Sequence, residues 1–249
     1  MTRLISSQLY LKGDNMELNK IQKRQVQKQL QYHNHDDYLT DIRLTDGEIL
    51  KDFKIKKNVY RSDIMTCGIA KARWLLFNNG LYKNKTVIDM GCGAGILGIV
   101  CALHGADKVI LSDISKHATE NSKENIQQYN LENKTEVYEG DLFENIKKKA
   151  DVIIFNHPYF ADEPQEEKII SKSMLGGENT FQRFLIDSKE YLKKDGIIIT
   201  SYLKLAGPTN DPEIQAPKYG HHINECFKTN LKTGLQRGEW RIFTLTPKE

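Results

Sequence analysis

A short apolar run, TVIDM (86–90), stops at three alternating glycines, Gly91, Gly93 and Gly95, and an apolar helical stretch over 96–104 begins at once. A buried strand that turns so abruptly into a helix belongs to chains whose strands lie parallel, with helices returning across the sheet. Glycine suits the turn because the bend is tight and the backbone must come within contact distance of a ligand. The helix start adds N–H groups without partners and the positive end of a dipole.

The rest of the chain repeats the alternation. KVILS (108–112), TEVYE (135–139), VIIFN (152–156) and GIIITSY (196–202) read as strands, with helices over 115–130 and 181–194. Residues 221–231 and 238–246 read as two strands with no helix between them, an antiparallel hairpin at one edge. The expected fold is α/β, with a seven-stranded, mostly parallel sheet. Before it, 15–31 is rich in helix formers, with Leu18, Ile21, Val26 and Leu30 opposite Lys20, Lys23, Arg24 and Lys28. That basic face is either solvated or touches an acidic substrate. In DIRLTDGEILKDFKI (41–55), Asp46-Gly47 between alternating runs predicts a hairpin. We expect an N-terminal extension over 1–60 and the main domain over 61–249.

Composition narrows the class. Apolar residues at 39% and charged residues at 28% fit a soluble globular chain. No apolar run approaches the ~20 residues that cross a bilayer, and the start lacks a secretory leader, so the expectation is a cytoplasmic protein without membrane contact. Cys67, Cys92, Cys101 and Cys226 are too scattered for a zinc site or disulfide framework, and His33, His35, His221 and His222 read as solvated loop residues. No metal is expected. Residues 1–60 hold 11 Lys+Arg against 8 Asp+Glu and carry the whole net charge of +3. This permits a nucleic-acid substrate without arguing for one.

The glycine turn admits two ligands. Gly93, Gly95 and Gly98 satisfy G-x-G-x-x-G with Asp113 about 20 residues on, which would fit NAD(P) and an oxidoreductase. Asp89, inside the strand, suits a cationic amino group better than a pyrophosphate. Residues 86–160 resemble the class I S-adenosylmethionine-dependent methyltransferases, whose sheet is Rossmann-like. The resemblance implies that Asp89, Gly91, Gly93 and Gly95 hold the methionine part of S-adenosyl-L-methionine. It assigns the ribose hydroxyls to Asp113 and the adenine to Asp141 and Leu142. Ser112, Asp113 and Ser115 are also helix-cap formers.

DVIIFNHPYF (151–160) resembles the N-P-P-Y subgroup, which methylates nitrogens conjugated to a planar π-system. There the Asn156 side-chain oxygen, also counted among the cofactor contacts, and the next backbone carbonyl would accept the NH₂ hydrogens. Pro158 would stiffen the turn and Tyr159 would stack on a flat substrate. His157 stands where the subgroup has its first proline and is a candidate base. Residues 173–200, with Gly176 and Gly177, resemble segments of release-factor glutamine and RNA guanine methyltransferases. Residues 58–76 are expected to close over the cofactor. The segment 203–223, with Tyr219, His221 and His222, is expected to be a substrate-facing loop.

The expected function is an N-methyltransferase. The alternatives are an NAD(P)-dependent oxidoreductase and a catalytically silent binding module on the same fold. The methyl acceptor stays open between RNA or DNA, a protein and a small molecule.

Overall fold

The computed structural model describes residues 18–162, 173–176, 179–231 and 236–248. The chain opens with α1 (Lys20–Tyr32), whose Asn19 cap bonds the backbone of Gln22 while the Gln22 side chain bonds back. A hairpin of β1 (Tyr38–Arg43) and β2 (Ile49–Ile55) follows, turning at the predicted Asp46-Gly47.

Then come α2 (Thr66–Phe77), β3 (Thr86–Met90), α3 (Ile96–Leu103), β4 (Lys108–Asp113), α4 (Lys116–Gln128) and β5 (Thr135–Glu139). The chain continues through β6 (Ala150–Phe155), α5 (Thr180–Tyr191), β7 (Leu192–Leu203), α6 (Pro212–Lys218), β8 (His221–Leu231) and β9 (Gly238–Pro247).

The main sheet has seven strands in the order β5-β4-β3-β6-β7-β9-β8. The first five run parallel, and β9 pairs antiparallel with both β7 and β8. This is the expected Rossmann-like α/β sheet with its edge hairpin. In β6 consecutive residues Val152, Ile153 and Ile154 are all buried, because apolar cover on both faces removes the in-out alternation of a half-exposed sheet. From β3 the chain winds outward through β4 to β5, then returns to the other side of β3 as β6. That reversal opens a crevice at the carboxyl ends of β3 and β6, where ligands of open α/β sheets bind.

The hairpin is held on the domain by α4. Asn121 and Asn125 are buried and bond the backbone of Lys54 in β2 and of Lys56 just after it. No helix among the described residues is long and apolar enough to cross a membrane.

Three expectations need correction. The helix over 181–194 ends at Tyr191, where Leu192 starts β7. The segment 203–223 is not an open loop: Asp211 caps α6, with Pro212 at its first turn. His33 and His221 are not solvated; both are buried and bond the carbonyls of Gln29 and Leu185. Among the described residues no cluster of three potential metal ligands occurs, and all four cysteines are free thiols.

Candidate active site

Met90 pairs with Phe155, so Gly91 and Asn156 leave adjacent strand ends side by side. Between them lies a cavity of about 350 Å³, within the size range of small-ligand sites. Its wall takes Gly91, Cys92 and Gly93 from the glycine turn, Asp113 at the end of β4 with Ser115 beyond it, Asp141 and Leu142 after β5, and Asn156 and Pro158 after β6. Asn58, Tyr60, Ser62 and Gly68 close another side. The segment before and into α2 thus covers the site, as expected, and residues 58–60 of the extension take part.

Backbone geometry explains the glycines. Gly93 has φ +56 and a Cβ there would meet nothing within 4 Å, so its backbone stands open to the cavity. Gly95 has φ +89, but its missing Cβ makes room for Ser122, Ile99 and Leu111. It shapes the turn and does not line the cavity. Leu142 is held at φ 51, a conformation rare for a non-glycine residue and typical of functional turns. Ser112 Oγ donates to its carbonyl.

The acids divide into three settings. Asp89 lies beneath the wall, 1% exposed, and its Oδ2 accepts the Gly98 N–H at 2.8 Å. It does not line the cavity: it ties the strand to α3, and burial raises its pKa to about 7. Asp113 faces the cavity while accepting from Gly93 N and Ser115 N at 2.9 Å each. It is both turn anchor and wall, with lone pairs left for two hydroxyls. Asp141 gives one oxygen to Arg183 Nη2 at 2.6 Å, and Arg183 lines the cavity too. Sequence reasoning missed Arg183, which nothing in α5 distinguishes from a solvated helical arginine.

Around Asn156 the structure redistributes roles. Tyr159 is buried and absent from the cavity wall, so it does not offer its ring for stacking. Its hydroxyl lies 2.8 Å from Ser201 Oγ and 3.0 Å from Asn156 Oδ1, while Ser201 Oγ lies 3.2 Å from the same oxygen. Trp240 Nε1 donates to Tyr159 at 3.4 Å. A consistent set of hydrogens runs Trp240 to Tyr159 to Ser201 to Asn156, which orients the Asn156 amide and leaves one oxygen lone pair free.

His157 also points inward. Its ring stacks on Phe181 at 4.0 Å, and its nitrogens lie 3.0 Å from Thr200 Oγ1 and 3.0 Å from the Asn210 carbonyl. Burial holds its pKa down to about 3. Both nitrogens are engaged away from the cavity, so His157 is not placed to act as a base. Gly176 packs on Pro158, where a Cβ would come within 3.0 Å of the carbonyl; Gly177 lies outside the described residues. None of Tyr219, His221 and His222 lines the cavity.

The fit to S-adenosylmethionine can be tested on the wall itself. Ser62 Oγ and Ser115 Oγ are buried and without partners, while Ile114, Ala118, Leu142 and Phe155 supply apolar surface beside Asp113 and Asp141. Unpaired hydroxyls, and carboxylates with lone pairs to spare, beside apolar surface match a ligand with hydroxyls, an amino group and an aromatic base.

Comparison with known proteins agrees. A Methanocaldococcus jannaschii protein, provisionally named a protein N5-glutamine methyltransferase, is 37% identical over 131 residues, 50% of this chain and 65% of its own. The release factor glutamine methyltransferase of Borreliella burgdorferi is 34% identical over 158 residues, 59% of this chain and 54% of its own. This chain therefore spans less than two thirds of those relatives' lengths.

Among solved structures, the T. Thermophilus 16S rRNA methyltransferase complexed with AdoMet and guanosine superposes with a TM-score of 0.62. It covers 86% of this chain and 51% of its own at 16% identity, which speaks for the fold alone. The family model described as the methyltransferase small domain matches residues 68–205, more than half of the chain, and the chain belongs to that family.

Proposed function

We propose that this protein is an S-adenosylmethionine-dependent N-methyltransferase acting on a side-chain amide nitrogen of a protein. One observation carries the reading: a single cavity joins the glycine turn, Asp113 and Asp141 to Asn156. Methyl donor and planar acceptor would therefore meet without crossing open solvent.

When bound, S-adenosylmethionine supplies a methyl group on a positively charged sulfur that leaves as a neutral thioether. The protein's own work is alignment. Asp113 would take the ribose hydroxyls, and the free Asp141 oxygen, with Leu142, the adenine. The remaining lone pair of Asn156 Oδ1 and the His157 carbonyl would accept the two amide hydrogens as the nitrogen becomes tetrahedral. The proton then passes to water, because His157 is neutral and turned away. The names of the two relatives above favour a protein amide over a nucleobase amine as acceptor.

The test is calorimetric titration with S-adenosylhomocysteine, then transfer of tritiated methyl groups into a cell extract. Wild-type protein should bind, and Asp113→Ala should bind at least ten-fold more weakly, since hydrogen bonds to a charged group contribute about 1.5–3 kcal/mol each. Label that is protease-sensitive and RNase-resistant supports the amide reading; RNase-sensitive label moves the acceptor to RNA. Absence of binding removes the enzyme reading altogether.

A further inference from the structure

Lys71, on α2, is a lysine with no exposed surface at all. Its Nζ donates to the Phe155 carbonyl at 3.2 Å, and Asp89 is the neighbouring charge that favours its protonated form. A second side chain, Thr200, lies slightly closer to that carbonyl, with Oγ1 at 3.0 Å. Counting hydrogens decides between the two donors.

The Asn210 carbonyl beside His157 Nε2 can only accept, so Nε2 carries the ring hydrogen. In the neutral ring Nδ1 is then bare and must accept from Thr200 Oγ1, 3.0 Å away. Thr200 has one hydrogen, now spent on His157. Lys71 is left as the side-chain donor to Phe155, and it keeps that capacity charged or neutral, since an amine retains two hydrogens.

Phe155 is the last residue of β6, and its carbonyl shares one rigid peptide plane with the Asn156 nitrogen and Cα. Whatever fixes the carbonyl fixes the angle at which Asn156 leaves the strand. Gly68, one helical turn before Lys71, lines the cavity, so α2 both walls the site and reaches beneath it.

We infer that Lys71 is a positioning residue for methyl transfer: from α2 it clamps the Phe155–Asn156 peptide and sets the orientation of Asn156 toward the methyl donor. The inference rests on the function proposed above, and it assigns Lys71 to the acceptor half of the site.

Lys71→Met keeps the length and removes the donor. Protein labelled with carbonyl ¹³C in Phe and ¹⁵N in Asn reports two junctions, Phe77–Asn78 and Phe155–Asn156. In Lys71→Met the Phe155 carbonyl should shift upfield while Phe77 stays in place. The rate of methyl transfer into extract protein at saturating cofactor should fall ten- to a hundred-fold. S-adenosylhomocysteine affinity should stay within about three-fold of wild type, because Lys71 serves the acceptor half.

An unmoved Phe155 carbonyl, or a moved one with undiminished transfer, overturns the inference. Should Lys71→Met fail to fold, Thr200→Val decides the donor: an unmoved Phe155 carbonyl supports Lys71, and an upfield shift assigns the bond to Thr200. The carbonyl readout needs no turnover. A wild-type protein that binds no adenosyl ligand would thus refute the function without touching the clamp.

Discussion

His157 shows how one side chain changes meaning once its surroundings are known. In the sequence it interrupts a proline pair and sits beside a reacting asparagine, which invites a chemical role. In the structure its two nitrogens and its ring face are all spent on Thr200, Asn210 and Phe181. His157→Ala should therefore destabilise the protein by about 2–4 kcal/mol, from the cavity and two abandoned polar partners. S-adenosylhomocysteine affinity should change less than three-fold. Urea unfolding and calorimetry check the two halves, and a stable variant with lost binding would return His157 to the site. Tyr159 follows the same logic: its motif position was legible, but its hydroxyl works from behind Asn156.

At the scale of elements, the sheet announced itself because apolar runs ended at glycines or acids. The runs 86–90 and 135–139 match β3 and β5 residue for residue. Two helices did not announce themselves. In α2 the buried residues include Gly68 and Lys71, and α6 begins with proline and contains another, so neither shows a clean apolar stripe.

The hairpin was legible; its attachment was not. Asn125 spans it to the cofactor turn, with Nδ2 2.9 Å from both the Lys54 and Ala94 carbonyls and Oδ1 2.8 Å from Lys54 N. Asn125→Ala should cost about 2–3 kcal/mol. It should also speed amide exchange in β2 and weaken adenosyl-ligand binding several-fold, because Ala94 lines the cavity. Faster exchange with unchanged binding would show that the hairpin and the turn are independent.

The whole molecule carries a pH signature set by burial. His33 is held down to about 4 and His157 to about 3, both chiefly by desolvation. Below the unfolded histidine pKa of 6.5 the unfolded chain binds two protons that the native state refuses, so these groups lower stability as pH falls. Asp89 opposes them: raised to about 7, it binds one proton in the native state that the unfolded chain lacks until about 3.8. Across these three groups the excess of about one proton predicts a loss of about 1.4 kcal/mol per pH unit between pH 6 and 4.5. The depressed His221 adds in the same direction, and the raised Asp113, Asp187 and Asp211 work against it. Urea midpoints across that range check it, and in His157→Ala the slope should flatten; a slope untouched by that substitution would place the acid sensitivity elsewhere.

Local pattern alone carried the fold class and the succession of strands and helices along the chain, and it marked the strand ends that meet at the candidate site. Those features are written in local period and turn chemistry: apolar runs that end at glycines, an acid after each of two strands, an asparagine after a fourth. Which of those residues face the cavity depends on packing across the fold. Asp89, His157 and Tyr159 turn inward, while Asn58, Ser62 and Arg183 line it. The physical reason is that a strand end or turn offers each side chain two directions. The choice is made by distant partners, such as Gly98 for Asp89, Asn210 for His157 and Ser201 for Tyr159, whose positions no local pattern encodes.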